Sequence, residues 1–270
     1  MRFFILFCLL FSFLEAKIEA FNGNTIVLEF NKSQISHPKI GKKKLNILDH
    51  PRDKTKNILL IPIKYRQKKD LTLNYIYKNK PASIILHIKQ KNYKKEKLKV
   101  SSSKVKPPKN LLSRISKEYK EAMKIYGTFT KKRYWNKPFI NPLNSKITSD
   151  YGNARIFNKK LKSFHGGTDF RAKMGTAIRS TNDGVVVLAK ERYYAGGSVI
   201  IDHGEGLYSC YYHLSKMPLK VGTHVKQGDI IGLSGKSGRV TGPHLHFTIM
   251  LGGVSVDSQD FIEKVNGLFE

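Results

Sequence analysis

The sequence predicts a mainly β protein with a small β-sandwich-like domain at the amino end, a helical linker, and an all-β domain at the carboxy end. Three observations predict it. Short apolar runs alternate with polar turns over 17–100 and again over 138–270. Helical spacing appears between these two regions, within 101–137. Charge divides along similar lines: residues 1–140 hold 33 Lys+Arg against 9 Asp+Glu, whereas 141–270 hold 16 against 11. A hydrophobic fraction of 40% supports real cores and excludes a wholly disordered chain, despite a formal net charge of +29.

The chain opens with "MRFFILFCLLFSFLEAK". Arg2 supplies a positive start, Phe3 to Leu14 an apolar run too short for an ordinary membrane span, and Ala16 a small residue at a cleavage point. Residues 1–16 therefore read as an export signal, which places the mature protein in the periplasm or cell envelope. Cys8 lies inside that run, so removing it leaves Cys210 alone and excludes an intramolecular disulfide.

From 17 to 100 the β-like runs are "NTIVLEF" (24–30), "NILLIPIKY" (57–65), "DLTLNYIY" (70–77) and "ASIILHIKQ" (82–90). In the last, Ile84, Leu86 and Ile88 alternate with Ile85, His87 and Lys89, the pattern of a half-buried strand. Lysines at the turns carry most of the charge and discourage edge-to-edge pairing. Nucleic acid is not expected as a partner: neither a helix-turn-helix signal nor an interleaved aromatic–basic motif is present. Association with the anionic envelope is the partnership the charge suggests.

"SSSKVKPPKN" (101–110) reads as a linker, and "NLLSRISKEYKEAMKIYG" (110–127) as one helix ending at Gly127. Its stripe of Leu111, Leu112, Ile115, Tyr119, Met123 and Tyr126 is expected to dock on a neighbouring domain, and the arm could fold the amino-terminal domain over a site as an autoinhibitor. Beyond 138, "AIRSTNDGVVVLAK", "GGSVIIDHGEGLYSCYYHL", "DIIGLSG" and "HLHFTIML" are strands, with turns at Asp183-Gly184 and Glu205-Gly206. "GTHVKQGDIIG" (222–232) shares hairpin geometry with biotin- and lipoyl-carrier domains but lacks their modified lysine.

Six of the nine histidines fall between 165 and 246. "HGGTDF" sets His165 and Asp169 four apart, with two glycines between them that allow close backbone approach. "YYHLS" presents His213 at a strand end, and "HLH" puts His244 and His246 on one strand face, because residues i and i+2 point the same way. Two histidines and a carboxylate hold zinc with a position left open, the catalytic rather than the structural arrangement. Two further histidines could hydrogen-bond a water and a substrate carbonyl. His203 and His224 read as structural, and His37, His50 and His87 show no partners in the sequence.

Taken in order, "SDYGNARIFNKKLKSFHGGTDFRAKMGTAI", "GSVIIDHGEGLYSCYYHLSKM" and "TGPHLHF" resemble the successive signatures of lysostaphin-type (LytM) zinc endopeptidases, from about Ile147 to Phe261. The region before is more loosely similar to exported, cell-shape-related members. The resemblance implies a LytM-type domain with an open groove. It implies one Zn2+ ion held by His165, Asp169 and His246, with His213 and His244 catalytic. It implies hydrolysis of peptide cross-links in peptidoglycan, D-alanyl–diaminopimelyl in a Gram-negative envelope, with D,D-carboxypeptidase activity at the same site. The alternative it leaves is a silent module that binds cell wall or activates another hydrolase.

Overall fold

The computed structural model describes residues 18–159 and 161–270; the export signal expected over 1–16 lies outside them. The amino-terminal region is two sheets. One runs Ile18–Phe21, Lys80–Lys89, Leu71–Tyr77, Ile35–Ile40, Lys43–Lys44, and the other Thr25–Asn31, Lys56–Pro62, Leu48–Asp49. Their facing residues, among them Ile26, Leu59, Ile61, Leu73 and Leu86, share one core. All four apolar runs read from the sequence are strands in these sheets.

The smaller sheet is buried on both faces. Alternation along Lys56–Pro62 sends Leu59 and Ile61 into the sandwich, while Ile58 turns the other way and joins Trp135, Phe139, Phe261 and Phe269 in the carboxy-terminal core. Hydrogen bonds seal the junction: the Thr25 N–H donates to Asp260 Oδ2 at 2.7 Å and Lys264 Nζ to the Thr25 carbonyl at 2.7 Å. Asp260 and Lys264 sit on the helix Ser258–Asn266, which the strand pattern of 138–270 did not lead one to expect. Its signals are nonetheless present: Asp257 caps the Gln259 N–H, Phe261 and Val265 share the buried face, and Gly267 ends it.

The carboxy-terminal region is built on a twisted sheet in the order Ile147–Ser149, Thr168–Arg171, His244–Leu251, Leu207–Lys216, Gly196–Gly204, Gly184–Arg192, His224–Val225. Glu205 (φ 55°) and Gly206 (φ 75°) form the tight hairpin that the Glu-Gly pair predicts. One sheet face, with Leu207, Tyr211, Leu245, Phe247 and Ile249, is packed into the main core. On the other, Tyr208, Cys210 and Met250 meet the helix Leu112–Tyr126. The helix docks as expected, but on a rotated stripe. Ala122 and Tyr126 are buried, whereas Leu112, Tyr119 and Met123 from the predicted stripe are exposed. Glu118 explains the rotation: it faces the sheet to accept the Tyr193 N–H at 2.8 Å.

Two segments depart from the plain strand–linker pattern. Lys95–Leu98, a run with no apolar periodicity, pairs in parallel with Ala154–Phe157, aligning Glu96 with Arg155. That strand continues into the antiparallel hairpin Ala154–Phe157/Leu161–Phe164. Tyr65 of the amino-terminal region stacks on Phe164 at 4.0 Å between ring centres, beside Tyr93 and Tyr151.

His203 has a structural place. Nδ1 donates to the Asp183 carbonyl at 2.6 Å, Nε2 accepts from Ser209 Oγ at 2.7 Å, and burial pushes the ring down to about 4. Folded His203 therefore stays neutral between pH 6.5 and 4, where the unfolded chain takes up a proton, so stability is present above 6.5 and is lost as pH falls toward 4. The loss should approach about 1.4 kcal/mol per pH unit in that window. Denaturant unfolding at pH 7, 5.5 and 4.5 should show His203→Gln with a slope shallower by about one proton than the parent; equal slopes would refute it.

Candidate metal centre

The site lies on the same sheet face as the helix, beyond its end. Antiparallel register pairs Asp169 with His246 and Arg171 with His244, so both histidines of the H-x-H pair project to one face, and Asp169 faces His246 across the ladder. His165 reaches them from the end of the hairpin, where its N–H donates to the Asn153 carbonyl at 2.9 Å and its carbonyl accepts the Gly152 N–H at 2.7 Å. His165 Nε2, Asp169 Oδ1 and His246 Nδ1 are then 2.8–2.9 Å from one another.

These three atoms fit a cation. The Asp150 carbonyl, 2.8 Å from His165 Nδ1, can only accept, so that nitrogen carries the proton and Nε2 presents its lone pair. Burial pushes His246 down to about 4, against the pull of Asp169. Burial would raise the Asp169 carboxyl, but its contacts with His165 and His246 outweigh that and hold it well below the usual range. An ionised carboxylate, a neutral His246 imidazole and His165 Nε2 converging in a buried place are donors that bind a divalent metal, and the borderline nitrogen–oxygen set suits zinc.

Gly167 makes the convergence feasible. A Cβ there would meet the Phe247 carbonyl at 2.4 Å and His246 Nε2 at 2.7 Å, whereas one on Gly166 meets nothing within 4 Å. Of the two glycines expected to allow close approach, only the second does so.

His213 and His244 stand beside the cluster. The rings of His213 and His244 are 4.9 Å apart, and His213 is 5.8 Å from His246. His213 Nδ1 donates to the Ser237 carbonyl at 2.8 Å and His244 Nδ1 to the Gly242 carbonyl at 2.9 Å, leaving Nε2 of each available. Burial, followed by His246 and His244, holds the His213 imidazole well below its ordinary range and therefore neutral. It takes a positive φ of 64°, uncommon for a residue with a side chain, where the chain leaves the regular ladder and its N–H turns to the Ala195 carbonyl.

The remaining histidines stay out. His203 is in the core, His224 lies against Tyr134, His87 contacts Asp70 at 2.7 Å, and His50 Nδ1 accepts the Asp53 N–H at 2.8 Å. Sequence reasoning missed the supporting groups. Arg155 Nη2 donates to Asp169 Oδ2 at 2.5 Å, Thr248 Oγ1 lies 3.0 Å from His246 Nε2, and the Tyr212 ring stacks on His246 at 5.6 Å. Arg155 was discoverable in principle, since a buried carboxylate with one oxygen committed to a metal calls for a counter-charge on the other.

With that geometry in place, the family assignment is direct: the family model for peptidase family M23 matches residues 163–258, which contain all five site positions. Residues 163–258 are a peptidase family M23 domain. The chain is similar to the peptidoglycan DD-endopeptidase ShyA of Vibrio cholerae, 42% identical over 120 residues, covering 43% of this chain and 28% of that protein. It is similar to the DD-carboxypeptidase/endopeptidase Mpg of Neisseria meningitidis, 38% identical over 119 residues, 44% of this chain and 27% of that one. The chain thus matches less than a third of the length of either relative. A solved Pseudomonas aeruginosa structure described as peptidase M23 aligns over 89% of this chain and 93% of its own with a TM-score of 0.69 at 24% identity, a likeness of fold through both regions.

The M23 domain's dependence on Gly167 is testable. Gly167→Ala should lower zinc affinity at least tenfold in a chelator competition, and Gly166→Ala should leave it within twofold. Equal behaviour of the two would show that the close approach is not needed.

Proposed function

We propose that this protein is a zinc-dependent endopeptidase that hydrolyses peptide cross-links in bacterial peptidoglycan. The observation that carries the reading is the three-donor cluster with two further histidines, each with Nδ1 tied to a carbonyl, inside an M23 domain. The names of the relatives, peptidoglycan DD-endopeptidases and a DD-carboxypeptidase/endopeptidase, support the substrate class. The D-alanyl–diaminopimelyl bond, D,D-carboxypeptidase trimming, action in the periplasm and envelope association through the basic amino-terminal region belong to the same proposal.

In this reading His165, Asp169 and His246 hold the metal and His213 and His244 move protons. Bound zinc supplies Lewis-acid polarisation of a carbonyl and lowers the pKa of water to about 7. Neutral His213 can take a proton at Nε2, because its Nδ1–H is spent on Ser237; the imidazolium then stays oriented by that bond and can return the proton to a leaving amine. His244, its Nδ1–H likewise spent on the Gly242 carbonyl and its Nε2 3.6 Å from Asp169 Oδ1, can take a proton at Nε2 and in that form donate to an oxygen that gains negative charge beside the donor cluster.

Muropeptide digestion by the mature chain should release monomers, and the bond follows from their mass. His246→Ala should lose both zinc and activity. His213→Ala and His244→Ala should retain zinc but lose about 100-fold or more in kcat/KM, since a single donor to a developing oxyanion is worth roughly 3 kcal/mol. No cleavage by a fully zinc-loaded chain would favour the silent binding or activating module.

Arg239 adds a recognition element to this proposal. Its guanidinium lies between the Phe157 ring (4.5 Å) and the Tyr194 ring (4.7 Å), joining the hairpin on the His165 side to the loop on the His213 side. The Arg239 backbone N–H is fixed on the Tyr194 carbonyl at 2.8 Å, and no acid among the described residues pairs with the guanidinium. Stem peptides carry carboxylates that it would receive. Arg239→Gln should raise KM about 10-fold or more for peptides with free carboxylates, the worth of a charged hydrogen bond, and change little for their amidated counterparts. An equal effect on both would remove Arg239 from recognition. Latency imposed by the amino-terminal side also remains within the proposal: Tyr193, next to Tyr194, donates from Oη to the Ser103 carbonyl and accepts Lys104 Nζ at its own carbonyl.

A further inference from the structure

We infer that Glu96, a residue of the amino-terminal side outside the matched M23 segment, is a positioning residue of the metal centre. The inference rests on the metal reading above. Glu96 lies on Lys95–Leu98, and parallel pairing sets it beside Arg155. Its carboxylate gathers three donors: Ser149 Oγ at 2.6 Å and Asn153 Nδ2 at 2.8 Å on Oε1, and Arg155 Nε at 3.0 Å on Oε2. Each of them leads on to a ligand. Arg155 Nη2 holds Asp169 Oδ2 and also reaches Ser149 Oγ at 3.1 Å. Ser149 Oγ lies 3.0 Å from His165 Nδ1. Asn153 supplies the carbonyl that takes the His165 N–H. Two of the three metal ligands are therefore oriented through one carboxylate.

The charges require this arrangement. Arg155 alone beside Asp169 would leave a guanidinium with its other edge unpaired in a largely enclosed place; Glu96 occupies that edge and fixes the plane in which Nη2 meets Asp169. The added parallel strand is the edge from which a carboxylate reaches all three donors. The segment that carries it is held in turn: the Ala154 N–H donates to the Lys94 carbonyl at 2.8 Å, the Asn158 N–H to the Leu98 carbonyl at 2.9 Å, and Tyr93 Oη to the Asn22 carbonyl. The amino-terminal domain thereby contributes to the organisation of the site as well as to any covering of it.

The test compares the full mature chain with Glu96→Gln, Glu96→Asp and, as a control ion pair remote from the site, Glu121→Ala, which releases Lys190. Zinc affinity is measured by chelator competition, and the melting temperature of the metal-free chain is measured alongside. Outer partners of metal ligands typically contribute 10–100-fold in affinity. Glu96→Gln should lose affinity in that range while the metal-free chain still melts cooperatively, Glu96→Asp should recover part of it, and Glu121→Ala should bind as the parent does. In digestion, Glu96→Gln at saturating zinc should show a lowered kcat with KM within about twofold. Glu96→Gln that melts lower but binds zinc as tightly as the parent would make Glu96 a purely structural residue and overturn the inference. A parent chain that takes up no zinc would overturn the metal reading, and the inference with it.

Discussion

The buried carboxylate of Asp169 is the constraint around which the rest of the carboxy-terminal architecture is arranged. An ionised group in that position must be balanced, and each of its oxygens has its own partner: Oδ1 the two imidazoles, Oδ2 the Arg155 guanidinium. On Oδ1 the balance falls to His165 and His246, and the same three atoms, drawn together in a buried place, are the ones that would receive a cation. The balance on Oδ2 is complete within the protein but needs a second carboxylate, Glu96, to place the guanidinium. Metal binding and the outer hydrogen-bond network are two halves of one charge problem, and they draw on different ends of the chain.

The sheet solves the accompanying problem of room. Strict alternation sends Leu245, Phe247 and Ile249 into the main core and leaves His244, His246, Thr248 and Met250 on the opposite face. That second face is divided along its length. The helix Leu112–Tyr126 covers Met250, Tyr208 and Cys210, and the donor cluster occupies what is left. Tyr212 stands at the division, its Oη 2.7 Å from Tyr126 Oη and its ring stacked on His246. The helix that read as a linker in sequence is thus also a wall of the site.

Most of the fold was legible because its strands carry their burial pattern on themselves. Leu86 and Ile88, or Leu245 and Phe247, announce a face whatever lies opposite. The helix was legible in extent but not in rotation, since Leu112, Tyr119 and Met123 outscore Glu118 and Ala122 in any hydrophobic count, and only the Tyr193 N–H explains why a glutamate faces inward. The strand Lys95–Leu98 was not legible at all: its pairing is a long-range backbone contact, and "KEKL" has no apolar rhythm to betray it. The donor cluster could be read because its members fall in two short segments with side-chain spacing set by a strand and a tight loop. Its supports could not, because Glu96 and Arg155 meet from positions 59 apart and nothing local to either marks the other as its partner.

That distance matters for what the amino-terminal region is. A domain tethered by a flexible arm could not hold a carboxylate to within hydrogen-bond reach of three donors, since small excursions of the domain would break all three contacts. Here the smaller amino-terminal sheet shares its inner residues with the sandwich and its outer ones, Ile58 and Leu48, with the carboxy-terminal core. Asp260 and Lys264 pin its first residues, and the stack of Tyr65 on Phe164 fixes the hairpin that carries Arg155. Packing of this kind stores little freedom between the two regions. It is what allows a residue so far back in the chain to help orient Asp169 and His165 through Arg155 and Ser149.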